Sequence, residues 1–405
     1  MVDYDFLSVY FYSVPNLRFT NLNKLVKVRL GDICTITGGY AFDSLKMTQK
    51  GEYQIIKMGN LYNGIFDLSR NSSFINAPTK KELDYLIQEN DILITLTGTT
   101  NKKDYGYTVQ MEQPKNLLLN QRCALIRASK VNEKYLFYLL NSNDFLKQFY
   151  ASSTGGTGNQ TNVSINDMLD FKVCISNEND QLKISNILSA LDKKILTQIK
   201  IIDDLVLQKK YIISSLLKSI QDNEKIMLKD ILFDYIIKTT INNEYPVLSS
   251  TASGMYLQSD YFNKETSSDN TIGYKIVPRG YCTYRSMSDT GLFTFNIQNL
   301  VEKGIVSPAY PVFSSNDDYI NEFIILYLNN SSYIKKQILE LKSGGTRFAL
   351  PFSTLCTLKI PKLEKEKQLS LIKTITAFER KIENEEIILN ALHQQKIFLL
   401  NNMFI

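Results

Sequence analysis

The side chains best suited to chemistry in this 405-residue chain are basic and amide groups gathered in loops rich in glycine and threonine. In the first half these loops are Gly38-Gly39-Tyr40-Ala41-Phe42, Lys57-Met58-Gly59-Asn60, Thr97-Gly98-Thr99-Thr100-Asn101-Lys102-Lys103, Asn120-Gln121-Arg122 and residues 155–162. In the second half they are residues 249–254, 279–285, 288–291 and 344–348. Lysine and arginine neutralise phosphates, and asparagine, glutamine and arginine pair with base edges. Glycine lets backbone N–H groups approach closely. The candidates for contact with a nucleic acid are therefore Tyr40, Asn101, Lys102, Lys103, Arg122, Arg279, Arg285 and Arg347. Ordinary turn chemistry explains the same composition, with Arg122 in an internal ion pair and Tyr40 in a core. The Gly155-Gly156 and Gly344-Gly345 pairs read as backbone turns rather than phosphate cradles.

The motifs of catalysis are missing. The chain has no phosphate loop of the G-x-x-x-x-G-K-[ST] type, and "GGTGNQ" (155–160) lacks the last glycine of a dinucleotide fingerprint. It has no Asx/Ser-Pro-Pro-aromatic tetrapeptide, no H-E-x-x-H and no G-x-S-x-G. The five cysteines lack C-x-x-C spacing and read as reduced thiols of a cytosolic protein, and the one histidine, His393, reads as a helix-face residue. No catalytic residue, metal site or cofactor is expected. A net charge of +5 leans weakly toward an anionic partner. At 44% hydrophobic and 21% charged the composition is that of a globular protein, and residues 1–20 read as neither signal peptide nor membrane span.

The elements that must position these loops are two long helices, written twice. Ile184, Leu188, Leu191, Ile195, Gln198, Ile202, Leu205, Lys209, Ile212 and Leu216 alternate by four and three, as the a/d seam of a coiled coil does. A shift of 187 positions gives Leu371, Ile375, Phe378, Ile382, Glu385, Leu389, Leu392, Lys396, Leu399 and Met403. The polar steps coincide, Gln198 with Glu385 and Lys209 with Lys396. "ILSALDKKI" (187–195) answers "TITAFERKI" (374–382). Neither stripe can be buried alone, so the copies are expected to pack antiparallel, over about 60 Å for 40 residues. Pairing the polar steps sets Lys209 opposite Glu385 and Gln198 opposite Lys396, a register that a Lys209→Glu, Glu385→Lys charge swap would test.

The repeat extends to the globular parts, since "VRLGDI" (28–33) answers "IMLKDI" (226–231). Each block closes with a short helix, a glycine turn and a strand: "YLLNSNDFLKQF", "STGGT" and "MLDFKVCI" first, then "YLNNSSYIKKQI", "SGGT" and "LCTLKIPKL". The expected fold is α+β with a pseudo-two-fold internal repeat: an N-terminal extension at 1–23, globular domains at 24–179 and 222–363, and long helices at 180–221 and 364–405. The centres of the blocks, "DILITLTGTTNKKDYGYTVQ" (91–110) and "RGYCTYRSMSDTGLFTFNI" (279–297), do not match. One scaffold thus presents two different surfaces.

This frame resembles the specificity subunit of type I restriction-modification systems. The resemblance rests on "PNLRF" (15–19), "VRLGDICTITGGYAF" (28–42), "IIKMGNL" (55–61), "NDILITLTGT" (90–99), "LNQRCALIRA" (119–128) and "STGGTGNQTNVS" (153–164), with "IMLKDI", "YLNNSSYIKKQI", "KSGGT" and the terminal helix in the second half. It implies a cytoplasmic, non-catalytic adaptor. Each target recognition domain would read one half of a split target in double-stranded DNA. The helices would set the spacing and dock two methyltransferase subunits, which carry the S-adenosylmethionine, with motor-nuclease subunits able to join. The alternatives from the residues are a coiled-coil scaffold without DNA readout and a stand-alone enzyme acting on nucleic acid.

Overall fold

The computed structural model describes residues 25–155, 160–261, 270–341 and 348–404. The chain divides inside both long helices into two compact units, the first of residues 1–198 with 388–405 and the second of residues 199–387.

In the first unit the strands are β1 (Val26–Arg29), β2 (Cys34–Gly38), β3 (Tyr53–Ile56), β4 (Phe74–Ile75), β5 (Ile92–Thr95), β6 (Thr97–Thr99), β7 (Thr108–Gln110), β8 (Leu117–Leu119), β9 (Cys123–Ala128), β10 (Thr154–Gly155), β11 (Gln160–Asn162) and β12 (Lys172–Ile175). The helices are α1 (Lys80–Leu83), α2 (Glu133–Leu139), α3 (Asn143–Ala151), α4 (Ile165–Asp170) and the start of α5 (Glu178–Ser219). The central sheet has the order β2-β9-β5-β7 and is antiparallel throughout. Its apolar runs have a simple reason. Side chains alternate across a strand, and both faces of this sheet are buried. Ile92, Ile94, Ala124 and Ile126 enter the core with α2, α3 and α5, while Leu93, Cys123 and Leu125 enter a second core with Ile56, Leu117 and Leu119. Short helices start where a side chain can accept a free N–H. Asn132 accepts from Tyr135 and Ser142 from Phe145.

The second unit repeats this plan. It holds β13 (Lys225–Met227), β14 (Leu232–Asp234), β15 (Leu248–Thr251), β16 (Gly254–Leu257), β17 (Lys275–Pro278), β18 (Cys282–Tyr284), β19 (Met287–Ser288), β20 (Phe295–Ile297), β21 (Lys303–Val306), β22 (Val312–Ser315), β23 (Phe348–Ala349) and β24 (Lys359–Pro361). Its helices are α6 (Gln258–Tyr261), α7 (Asn321–Asn330), α8 (Ser332–Glu340), α9 (Phe352–Leu355) and the start of α10 (Lys365–Asn402). The sheet β14-β22-β18-β20 matches β2-β9-β5-β7 strand for strand, and β13 with β24 matches β1 with β12. The two-faced burial recurs, with Phe313 in the helix-side core and Val312 in the other. Beside the sheet the frame still holds: β3 pairs β8 in parallel and Leu86 bridges Leu118 antiparallel, as Val247 bridges Ile305 in parallel and β17 pairs β21 antiparallel. The units part company in their connections, since β15 and β16 form a tight hairpin whereas residues 57–73 join β3 to β4.

The long helices, Glu178–Ser219 and Lys365–Asn402, contain neither glycine nor proline. Within each unit they run antiparallel. In the first, Phe404 packs on Tyr135, whose hydroxyl accepts from Ser176 just ahead of α5, and Lys396 pairs with Asp192 further along. In the second, Lys362, just ahead of α10, pairs with Glu224 just past α5, and Lys209 pairs with Glu379. The seam is buried at Ile184, Leu188, Leu191, Ile195, Leu205, Ile375, Leu399 and Met403, and half-buried at Ile202, Lys209, Leu371, Phe378, Ile382, Glu385, Leu389 and Leu392. Past Lys209 the buried stripe moves to Ile213 and Leu217, one position beyond Ile212 and Leu216. A helix turning every 3.6 residues drifts off a 3.5-residue repeat in this way.

The ion pairs correct the expected register. Lys209 lies 2.7 Å from Glu379 rather than opposite Glu385, and Lys396 lies 2.6 Å from Asp192 rather than opposite Gln198. Asp192 and Glu379 are themselves 187 positions apart, so one ion pair is made twice. Matching polar seam steps to each other overlooked that a lysine reaches past its own layer to a flanking carboxylate. Lys209→Glu is therefore expected to lower the melting point of the chain, at about 1 kcal/mol for a half-exposed pair. Adding Glu379→Lys should restore most of that loss.

Candidate nucleic-acid interface

The first unit gathers four of the five predicted loops onto one edge of its central sheet. As β2 ends, Gly39 N–H donates to the Cys123 carbonyl and Tyr40 N–H to that of Leu119, each at 2.9 Å. Gln121 N–H returns to the Tyr40 carbonyl at 3.0 Å. Gly39 is required there, because a Cβ would come within 2.1 Å of the Asn120 carbonyl oxygen. Arg122 joins the next loop, its carbonyl accepting from Leu96 N–H, and the Leu96 carbonyl accepts from Val163 N–H. β6 then pairs with β11, and β11 with β10. Loops 38–42, 96–103 and 119–123 and residues 154–155 and 160–163 are thereby hydrogen-bonded into one surface.

On that surface the turn after β6 carries the basic residues. Lys102 N–H donates to the Thr99 carbonyl, and Asn101 stands at the tip with φ +63°. Asparagine tolerates this left-handed conformation better than most side chains do. Asn101, Lys102, Lys103 and Arg122 are all exposed. Lys103 Nζ lies 5.2 Å from the Tyr150 ring, whereas neither the Lys102 nor the Arg122 side chain makes a hydrogen bond or ion pair among the described residues. Asp104 turns inward. Its Oδ1 accepts from Thr99 N–H and its Oδ2 from the Thr99 hydroxyl, both at 2.7 Å. These bonds, the backbone one foremost, hold its carboxyl below the usual range despite partial desolvation.

Tyr40 is half-buried, its ring packed on Phe42 and Tyr85 at 5.1 Å each with the Lys81 ammonium 5.8 Å above. It serves the edge through its backbone and as packing. The fifth predicted loop is half-buried and anchored by its last residue. Asn60 is fully buried, accepting from Lys57 N–H and donating to the Asp67 and Arg70 carbonyls, and Lys57 donates to the Ser73 hydroxyl.

Sequence reasoning missed a run of aromatic rings beside the basic turn. Arg70 sits 5.7 Å from the ring of half-exposed Tyr62, and Tyr62 meets Tyr107 edge-on at 5.7 Å. Burial foremost, then Tyr62 and last Asp104, raises the Tyr107 phenol above its ordinary range. Tyr62, Arg70 and Tyr107 share no period and flank no motif, so nothing in the chain sequence links them.

In the second unit, Arg279 makes an ion pair at the surface. Its Nε lies 2.9 Å from the Glu302 carboxylate and its NH1 donates to the Asn299 carbonyl at 2.7 Å. Arg285 follows β18 and is exposed, with no partner for its guanidinium among the described residues. The adjoining β19–β23 pair holds the place that β6 with β11 holds in the first unit. Arg347 lies outside the described residues.

Burial pushes the Cys34 and Cys123 thiols up to about 12 and raises Cys282, so none of the three is an available thiolate at neutral pH. Among the described residues no three of His, Cys, Asp and Glu lie together as a metal site would require, and no helix is long and apolar enough to cross a membrane.

Residues 23–205 match the profile of the family described as "Type I restriction modification DNA specificity domain". Solved structures share the fold at low identity. The S subunit of a type I restriction-modification system from M. genitalium aligns with a TM-score of 0.52 at 15% identity, covering 96% of this chain and 98% of that one. A chain from a study of complex assembly and conformational transition of the type I R-M system aligns with a TM-score of 0.58 at 14% identity, covering 94% and 97%. These matches agree with the resemblance drawn from the sequence and with the α+β frame of two domains and long helices.

Proposed function

We propose that this chain, whose residues 23–205 carry a type I restriction modification DNA specificity domain, reads DNA sequence as the specificity subunit of a type I restriction-modification system and leaves the chemistry to other chains. One observation carries the reading. The two units have the same sheet order and the same framing strands, yet the surfaces on their sheet edges differ in composition and in the loops that connect the strands. A duplicated frame with dissimilar edges suits two readers of two unlike half-sites. Lys102, Lys103, Asn101 and Arg122 are the proposed contacts of the first unit and Arg285 that of the second, with Arg347 retained from the sequence. Arg279, committed to Glu302, and Tyr40, packed in place, serve as supports. Lysines fix the protein on phosphates without sequence information, whereas arginine and asparagine read base edges.

The partners proposed are two methyltransferase subunits, with motor-nuclease subunits able to join. Support comes from apolar side chains left exposed outside the seam. Leu182, Ile388 and Phe398 in the first unit are 45%, 47% and 47% exposed, and their counterparts by the same shift, Leu369, Ile201 and Tyr211, are 41%, 38% and 75% exposed in the second. Three exposed apolar positions repeated in each unit fit two copies of one partner.

The test is methylome sequencing of cells that carry the chain with its methyltransferase. A split motif with an undefined centre is expected. Arg122→Ala should relax one half of that motif, at about 1–3 kcal/mol of discrimination per lost base contact, and leave the other half intact. Methyl transfer by the purified chain alone would defeat the proposal, as would a contiguous motif.

A further inference from the structure

A carboxylate on a surface that meets phosphates is a liability unless something offsets its repulsion. Asp104 follows Lys102 and Lys103 directly, and its two oxygens are committed to one residue, Thr99, across the turn. The backbone prepares the place. Gly98 has no side chain, and a Cβ there would stand 2.6 Å from Asp104 Oδ1 and 2.3 Å from the Tyr105 ring. Beyond Asp104 the chain is fixed again, since Tyr105 is buried and its carbonyl accepts from the Tyr150 hydroxyl at 3.0 Å. Before it, Thr99 is held by pairing with Gln160. The turn between is thus tied at both ends and braced in the middle by one carboxylate.

We infer that Asp104 is a positioning residue, which uses Thr99 to hold the 99–103 turn in its DNA-binding shape and so presents Lys102 and Lys103 already ordered. The inference rests on the reading of this turn as a DNA contact. Ordering a free loop costs backbone entropy at every residue, and a turn ordered beforehand binds more tightly because that cost is not met on association. Simple charge counting predicts the opposite sign, because deleting a negative group beside DNA should tighten binding. The two accounts are therefore separable.

The experiment uses the full chain assembled with its methyltransferase subunits and a duplex bearing the split motif found by methylome sequencing. Affinity is measured across a salt series, with thermal unfolding as a check on folding. Asp104→Ala is expected to weaken binding about tenfold and to make the salt dependence shallower by about one to two phosphate contacts, as Lys102→Ala with Lys103→Ala would. Thr99→Val should act in the same direction, and Thr99→Ser, which keeps the hydroxyl, should bind like the parent. Should Asp104→Ala bind as tightly as the parent or tighter while the lysine double variant binds weakly, the positioning role is overturned and the contact stands. Should the lysine double variant bind and respond to salt like the parent, the contact itself is overturned and the positioning role with it. Where Asp104→Ala fails to fold, weak binding by Thr99→Val beside normal binding by Thr99→Ser supports the inference, and normal binding by both defeats it.

Discussion

Replacing Gly39 by alanine is expected to disable the DNA-facing edge of the first unit, although it adds a single methyl group. The new Cβ would stand 2.1 Å from the Asn120 carbonyl oxygen, 2.4 Å from its carbon and 2.8 Å from the Leu119 oxygen. All three are backbone atoms, so no side chain can rotate away. Relief requires the 38–42 loop to part from 119–123, which breaks the bonds from Gly39, Tyr40 and Gln121. Overpacking of this kind costs about 1–3 kcal/mol or more. Because the Arg122 carbonyl also anchors Leu96, the disturbance should reach the basic turn and reduce DNA binding by the assembled complex at least about tenfold. Gly155→Ala is the control. A Cβ at Gly155 meets nothing within 4 Å, and that substitution should leave the melting temperature unchanged. Equal behaviour of the two variants would show that the close approach at Gly39 is not needed for the surface.

What could be read in advance depended on range along the chain. The seam was legible because its spacing is local. Every third or fourth residue from Ile184 shows which stripe is buried, and a second copy of the pattern names its partner. The ion pairs were not, since Asp192 and Glu379 lie off the seam and only coordinates show that Lys396 and Lys209 lean toward them. The basic turn was legible as composition, in Asn101, Lys102 and Lys103. Asp104, one residue further, carried no signal until its bonds to Thr99 were visible. Arg279 shows the same limit, since its surface partner Glu302 is 23 residues away, beyond three strands, and nothing in the sequence joins the two. The apolar runs at Ile92–Thr95 and Cys123–Ala128 form strands buried on both faces, yet the order β2-β9-β5-β7 depends on pairings between distant segments, which periodicity does not encode.

The duplicated helices allow an experiment in which each substitution is the control for the other. Leu188 and Ile375 occupy the same step of the repeat, are 0% and 7% exposed, and belong to the cores of the first and second unit respectively. Truncating either to alanine leaves a cavity in a packed interior, at about 2–5 kcal/mol. That is a large share of the roughly 5–15 kcal/mol by which a domain is stable. Leu188→Ala is expected to speed hydrogen exchange in Ile92, Ile94, Ala124 and Ile126, the strands that share its core. Ile375→Ala is expected to do so around Cys282, Tyr284 and Phe313. If each unit reads its own half-site, Leu188→Ala should blur the motif half that Arg122→Ala also blurs, and Ile375→Ala the other. Uniform exchange across the whole chain after either substitution would mean that the units unfold as one body, and the duplicated cores would then not divide the work of recognition between them.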